Sequence, residues 1–413
     1  MDKVVLAYSG GLDTSVAIRW INEKYNLDVI TVTIDVGNER EFTAIQEKAL
    51  RTGAIKAFVH DAKDDFIRYF AFPSLQAGAI YEERYPLATA LARPLIAKLL
   101  VDYAKQEGAV AIAHGCTGKG NDQVRFDVSI GTLAPEMRII APVREWRMTR
   151  DEEIAYAEQH DIPVPVTAAS PYSVDENLWG RSVEAGILED PWTAPPDDAY
   201  TWTTDPRKAP DEWREVDIAF DQGIPTALNG EPLEGVALVA KLNEIAGAHA
   251  VGRIDHIENR LVGIKSREVY ECPAAVVLHA AHAELEKMTL TKDQMRFKQI
   301  VSRDMADMIY NGLWFSAHHQ DLASYVASSQ RYVTGNIRVR LFKGTAAVVG
   351  RRAERSLYNP SLATYGSGDT FDHNAAVGFI NLWGLPLRNQ AELQLLPGRT
   401  DFLRLGAPDA GEN

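Results

Sequence analysis

Ser9, Gly10, Gly11, Leu12, Asp13, Thr14 and Ser15 follow an apolar run, Val4-Val5-Leu6, with Ala7 and Tyr8 between. The order is that of a buried strand, a tight turn and a helix start. Two glycines free the backbone to curl around an anion. The hydroxyls and amides that come next open a helix whose first N–H groups have no partner inside it. Such a turn grips phosphate oxygens. It is not a Walker-type loop, since Gly-x-x-x-x-Gly-Lys-Ser/Thr is absent from the chain. A Gly-Gly turn made for steric reasons alone would need neither Ser9 before it nor Asp13-Thr14-Ser15 after it. Asp13 has two readings, a group near a metal–phosphate ion or a helix N-cap.

A second glycine-rich stretch runs from His114 to Arg125. Gly115, Gly118 and Gly120 permit close backbone approach. Thr117, Asn121, Asp122 and Arg125 bring a hydroxyl, an amide, a carboxylate and a guanidinium within nine residues. That mixture suits a zwitterionic amino acid, with donors for its carboxylate and an acceptor for its ammonium. A polar loop with a capping Asn or Asp is the plainer explanation. The place of the stretch, directly after an apolar run, favours the ligand.

The elements that must carry these loops alternate. The pattern predicts strands at Val4 to Tyr8, Val29 to Val36, Ile55 to Val59, Val110 to His114 and Met137 to Ala141. It predicts helices at Ser15 to Tyr25, at Glu41 to Thr52 with Gly53 as C-cap, and at Leu87 to Glu107 with a perturbation at Pro94. Thr149 and Glu152 suit a capping box for a helix reaching His160. Buried strands separated by helices imply an α/β fold with a doubly wound parallel sheet. Ligands on such sheets bind beyond the carboxyl ends of the strands, where both glycine-rich loops fall. Three parts are expected: a nucleotide-binding domain at 1–165, an α+β domain at 166–360 and a helical tail at 361–413. Residues 190–213 hold five prolines and three tryptophans and read as an ordered arm without regular structure. Residues 337–349 read as a hairpin turning at Lys343-Gly344, 279–330 as helical, and the last ten residues as mobile.

Composition narrows the classes. With 413 residues and 46% of them apolar, wholesale disorder is excluded. A net charge of −14 argues against nucleic acid as the main partner. Two cysteines, Cys116 and Cys272, make neither a disulfide framework nor a metal site. No run reaches the ~18 apolar residues of a membrane span. With no apolar signal region at the start, the expectation is a cytoplasmic protein.

The stretch Ser-Gly-Gly-x-Asp-Thr/Ser resembles the loop of the ATP pyrophosphatases, which split ATP between its α and β phosphates. Five segments together sharpen this: AYSGGLDTS at 7–15, YEERYPLATALARP at 81–94, HGCTGKGNDQVRF at 114–126, PYSVDENLWGRS at 171–182 and GRIDHIENRLVGIKSREVYE at 252–271. In these the chain resembles the argininosuccinate synthase family. The resemblance implies a ligase that joins citrulline to aspartate, uses ATP with Mg2+, and releases AMP and pyrophosphate through a citrullyl-adenylate. By motif matching, residues 7–15 hold ATP, with Ser9 and Asp13 nearest the chemistry, while Ile34 touches adenine through its backbone and Gly115 approaches the nucleotide. Thr117, Asn121 and Asp122 are then the aspartate residues. Tyr85, Asn121, Arg125, Ser173, Ser182, Glu258 and Tyr270 are the citrulline residues, Glu258 for the ammonium and Arg125 for the carboxylate. Ala90 departs from the pattern, standing where some members have a citrulline-contacting serine. The resemblance also implies a homotetramer. No resident metal ligand set is expected.

Other residues draw structural readings. His114 either orients a phosphate or is satisfied structurally, and Lys119 either reaches a phosphate or faces solvent. His318-His319, His279 and His282 read as packing, and the arm tryptophans as anchors or subunit contacts. Tyr81 and Arg93 stay unassigned beyond packing or substrate orientation. Two rivals were open on the same fold. A tRNA-modifying sulfur-transfer enzyme would want catalytic cysteines and a basic face. A catalytically silent nucleotide sensor would need no aspartate site.

Overall fold

Apolar strands alternating with helices form a parallel sheet. This computed structural model describes residues 1–38, 41–163 and 172–397. Strands β1 (Lys3–Ala7), β2 (Asp28–Asp35), β3 (Lys56–Asp61), β4 (Ala111–Ala113) and β5 (Arg138–Ile140) lie in the order β3-β2-β1-β4-β5, all parallel. Successive residues of β1 feed opposite faces. Val4 and Leu6 pack with Ala17, Ile18 and Ile21 of the helix Leu12–Tyr25. Val5 packs in the other layer, with Leu91, Leu95 and Leu100 of the helix Ala88–Glu107. The sheet is therefore doubly wound. The order reverses between β1 and β4, so the two glycine-rich loops leave the sheet side by side.

Local details differ from the expected bounds for definite reasons. The first helix begins at Leu12, not Ser15, because Gly11 is extended (φ −71°, ψ 175°) and serves as N-cap. Asp13 lies in the first turn and caps nothing, which removes its N-cap reading. The helix Ala88–Glu107 runs through Pro94 without interruption. Burial of its flanks at Leu91, Leu95, Leu99 and Leu100 outweighs one lost backbone bond. The capping box forms: the Glu152 N–H donates to Thr149 Oγ1 at 3.4 Å, and the Thr149 N–H to Glu152 Oε2 at 2.6 Å. Gly53 closes Phe42–Thr52 at φ 115°.

After residue 172 the strands are antiparallel. They are β6 (Ser173–Asn177), β7 (Gly180–Glu184), β8 (Arg214–Asp221), β9 (Ile224–Leu228), β10 (Glu231–Pro232), β11 (Arg253–Asn259), β12 (Lys265–Glu271), β13 (Gly335–Phe342) and β14 (Thr345–Arg352). One sheet runs β11-β12-β7-β6 and the other β10-β9-β8-β13-β14. The β13–β14 hairpin turns at Lys343 (φ 42°) and Gly344 (φ 91°), as a two-residue primed turn requires. Helices Pro273–Thr289, Lys292–Tyr310 and Ala317–Ser329 fill the expected helical region.

The 190–213 arm holds only a 3-10 turn, Asp197–Ala199. It is anchored by a carboxylate more than by its tryptophans. Glu271, fully buried, accepts from the backbone N–H groups of Thr201, Trp202 and Thr203 at 2.8–3.0 Å, from the Thr203 hydroxyl at 2.7 Å and from Arg181 at 3.0 Å. Trp192 points to solvent, and Trp213 is exposed on one side with the Arg340 guanidinium 4.5 Å over its ring.

Contacts divide the chain into units at 1–357 and 358–413. In the second, the helix His373–Trp383, capped by Asp372, leaves Phe379, Ile380, Leu382 and Trp383 exposed. The expected boundary around 162–165 falls partly, and the final ten residues wholly, outside the described residues. No helix among the described residues is long and apolar enough to cross a membrane.

Candidate functional site

Two adjoining cavities lie at the carboxyl edge of the parallel sheet and beside the β11-β12-β7-β6 sheet. The first, about 220 Å³, is walled by Ala7, Tyr8, Ser9 and Thr14 of the first loop, Val32 to Ile34 of β2, and His114, Gly115 and Cys116 after β4. Gly10 sits at φ 77°, and Lys48 donates to its carbonyl at 2.8 Å. Ser9 Oγ accepts the Gly11 N–H at 3.3 Å and lies 3.1 Å from Thr14 Oγ1, so the hydroxyls are held at the turn. A Cβ on Gly115 would stand 2.8 Å from Thr14 Cγ2, so only glycine lets the two loops meet. His114 takes its structural reading. Its Nε2 is 2.7 Å from Asp127 and its Nδ1 accepts the Cys116 N–H at 3.3 Å, which leaves no ring nitrogen for a phosphate. Burial pushes the Cys116 thiol well up.

The second cavity, about 100 Å³, is built from side chains of distant segments: Tyr85, Thr89, Asn121, Asp122, Arg125, Asp175, Ser182, Glu184, Glu258, Arg260, Glu268 and Tyr270. Its floor is a buried hydrogen-bonded chain. Leu261 N–H donates to Asn121 Oδ1 at 2.9 Å, and Asn121 Nδ2 donates to Tyr310 Oη at 2.8 Å. Tyr310 and Tyr270 in turn donate to the two oxygens of Glu258. Tyr85 stacks on Tyr270 at 4.0 Å and Tyr81 on Tyr310 at 3.6 Å, which fixes both phenols. Arg125 donates to the Tyr310 carbonyl at 2.8 Å and to Asp122 at 2.9 Å.

One arginine stands between the cavities. Arg93 lines the first and donates from Nη2 to Asp122 and to Asp175, both at 2.8 Å. Asp175 lines both. Burial pushes the Asp122 carboxyl up, but the guanidiniums of Arg93 and Arg125 win and hold it at about 2. It is a fixed anion.

The structure therefore brings Ala7, Tyr8, Ser9, Thr14, Ile34 and Gly115 to one cavity and Tyr85, Asn121, Asp122, Arg125, Ser182, Glu258 and Tyr270 to the other. Gly10, Gly11, Leu12, Asp13 and Ser15 shape the first loop without lining it. Thr117 is exposed and off both walls, near Gly120. Ser173 is also off the walls, two residues before Asp175 on the same strand. Lys119 is exposed, its carbonyl turned to Arg260. Ala90 is wholly buried, and Thr89 before it carries a hydroxyl to the second cavity. The histidines pack as expected: His319 against Trp314 at 4.4 Å, and His282 to Gln330 at 2.8 Å. Sequence reasoning passed over Asp175, Tyr310 and Glu268. Asp175 lay inside a recognised segment, and Tyr310 gave no signal beyond helical periodicity.

A glycine-rich turn at a sheet edge, joined through one arginine to a polar, charge-lined cavity, has the form of a nucleotide-using enzyme's site for small polar substrates. The arginosuccinate synthase N-terminal HUP domain matches residues 3–163, and the arginosuccinate synthase C-terminal domain matches 172–390. The argininosuccinate synthase of Dehalococcoides mccartyi strain BAV1 is 59% identical over 393 residues, 95% of this chain and 97% of that one. That of Brevibacillus brevis is 58% identical over 392 residues, 95% and 94%. That of Listeria monocytogenes is 57% identical over 392 residues, 95% and 97%. The chain belongs to the argininosuccinate synthase family and is a ligase.

Proposed function

We propose that the first cavity takes ATP and the second takes citrulline and aspartate, and that the reaction runs in two steps across Arg93. The ureido oxygen of citrulline attacks the α-phosphorus of ATP. Pyrophosphate leaves, and a citrullyl-adenylate remains. The amine of aspartate then attacks the ureido carbon, loses a proton, and expels AMP with that oxygen. No protein nucleophile is needed. The chain supplies position and fixed charge.

The observation that carries this reading is the pair of hydrogen bonds from Arg93, on the wall of the first cavity, to Asp122 of the second and to Asp175, which lines both. Ser9 and Thr14, set by the turn at Gly10–Gly11, face the phosphates, while Ile34 and Gly115 flank the nucleoside. Asp122 and Asn121 take aspartate, with Thr117 closing over it. Glu258 and Tyr270 take the citrulline ammonium, Arg125 its carboxylate, and Tyr85, Ser182 and Ser173 its remaining polar groups. No cluster of three metal-ligating side chains exists among the described residues. Mg2+ would ride mainly on phosphate oxygens and water, with Asp13 as the loop's own carboxylate. When bound, the ion would neutralise charge on the departing pyrophosphate.

Residues 1–165 and 166–360 supply the two cavities in this reading. The exposed apolar face of His373–Trp383 supports self-association of the 361–413 tail, as a homotetramer. Unpaired thiols at Cys116 and Cys272 support a cytoplasmic location. Citrulline labelled with heavy oxygen in the ureido group tests the mechanism: the label is expected in AMP. Label recovered only in pyrophosphate or in the ligated product would overturn the adenylate step.

A further inference from the structure

We propose that Glu268 is a second carboxylate for the α-ammonium of the ureido amino acid, a specificity-determining residue beside Glu258. This rests on the assignment of the second cavity to citrulline.

The argument is one of charge and placement. Alternation along β12 turns Ser266, Glu268 and Tyr270 to one face, and Tyr270 and Glu268 both line the cavity. Glu268 is 6% exposed. Its Oε1 accepts from Arg260 Nη2 at 2.8 Å and from Ser266 Oγ at 3.0 Å. Its Oε2 carries no hydrogen bond among the described residues. Around it stand Glu184 on β7, Glu258 and His256 on β11, Arg260 in the turn after β11, and Ser266 and Tyr270 on its own strand. Arg260 is shared between Glu184 and Glu268. Glu258 is met by two phenols, which are neutral donors.

On the far wall the balance is different: Asp122 and Asp175 are matched by Arg93 and Arg125. On this wall Arg260 pairs with Glu184 and Glu268, while Glu258 has no ion-pair partner among the described residues. Three buried or half-buried carboxylates with one cation leave room for another cation. An α-ammonium with three N–H donors can reach both Glu258 and Glu268. A substrate without it would leave this wall short of positive charge, which is how the cavity would reject des-amino ureido acids. Burial and the neighbouring Glu184 push the Glu268 carboxyl up, against Arg260, to about 8, with Glu258 adding to the rise. An arriving ammonium favours the ionised carboxylate, so it opposes that rise and drives off any proton held there.

The test is calorimetry on the full chain at pH 7 in two buffers of different ionisation enthalpy, with citrulline and with 5-ureidopentanoate, which lacks only the amino group. Citrulline is expected to bind with release of up to about one proton, and the analogue with none and at least tenfold more weakly. Glu268→Gln should weaken citrulline about tenfold, change the analogue by less than twofold, abolish proton release, and leave the KM of ATP and aspartate within twofold. Glu268→Asp, a gentler change, should retain proton release. Equal weakening of citrulline and analogue in Glu268→Gln, or proton release equal for the two ligands in the unaltered enzyme, would overturn the proposal. Failure of citrulline to bind the unaltered enzyme at all would instead overturn the substrate assignment and leave Glu268 a clamp for Arg260.

Discussion

The two cavities are made in opposite ways. The first cavity borders one sheet edge, walled by the loop after β1, the end of β2 and the residues after β4. The second is drawn from residues as far apart as Tyr85 and Tyr270 and is underpinned by Tyr310. A phosphate can be held by N–H groups that any sequence provides once the turn is right. A zwitterion needs fixed charges of both signs, and buried charges must be paired or hydrogen-bonded. Small backbone errors should therefore injure the first cavity alone, and single side-chain losses the second.

Arg93→Ala strikes where the two meet and carries the largest expected effect. It strands Asp175 and leaves Asp122 to Arg125 alone, a loss of about 3–5 kcal/mol for a broken buried pair, so kcat/KM should fall at least a hundredfold for all three substrates. A loss confined to ATP would mean that the cavities are independent. Next is acid. Asp122 is held at about 2 against an ordinary 3.8. Because its folded value is the lower, its stabilisation is present above pH 4 and is lost as pH falls from about 4 to 2. The contribution is about 2 kcal/mol, read as an acid-unfolding slope that Asp122→Asn flattens. Tyr310→Phe removes a donor to Glu258 and the acceptor of Asn121, at about 1–3 kcal/mol. It should raise the citrulline KM about tenfold and spare ATP. The smallest and most selective effect is Gly115→Ala, whose new methyl meets Thr14 Cγ2. ATP KM should rise about fivefold, with recovery on adding Thr14→Ser, since that change deletes the clashing carbon. No recovery would place the fault elsewhere in the loop.

This contrast also explains what was legible in the sequence. The loop at 7–15 and the box at Thr149 and Glu152 are written in neighbouring residues, so their chemistry shows without a fold. The doubly wound sheet follows from alternating periods for the same reason. The first cavity lies on the carboxyl edge of the parallel sheet, where both glycine-rich loops were expected, while the second leans on the antiparallel β11-β12-β7-β6 sheet. Its residues were named through resemblance, because spacing gives no hint that Asn121 meets Tyr310, 189 positions away, or that Arg93 meets Asp175, 82 away. Tyr310 closes the helix Lys292–Tyr310 and reads as ordinary core. Ser173 drew notice ahead of Asp175 because a hydroxyl matched the motif, whereas the carboxylate's value depends on a guanidinium from another domain.

Glu271 has one more consequence. Tyr270 lines the second cavity, and the next residue grips the arm with two oxygen atoms that accept from four of its donors. A segment without ladder bonds thus hangs on one buried anion, with Arg181, Arg253 and Arg267 holding its carbonyls, on the reverse side of the strand that bears Tyr270. Cutting that mooring by Glu271→Gln would open the 199–203 stretch to proteases first, and the tilt of β12 would carry the slack to Tyr270.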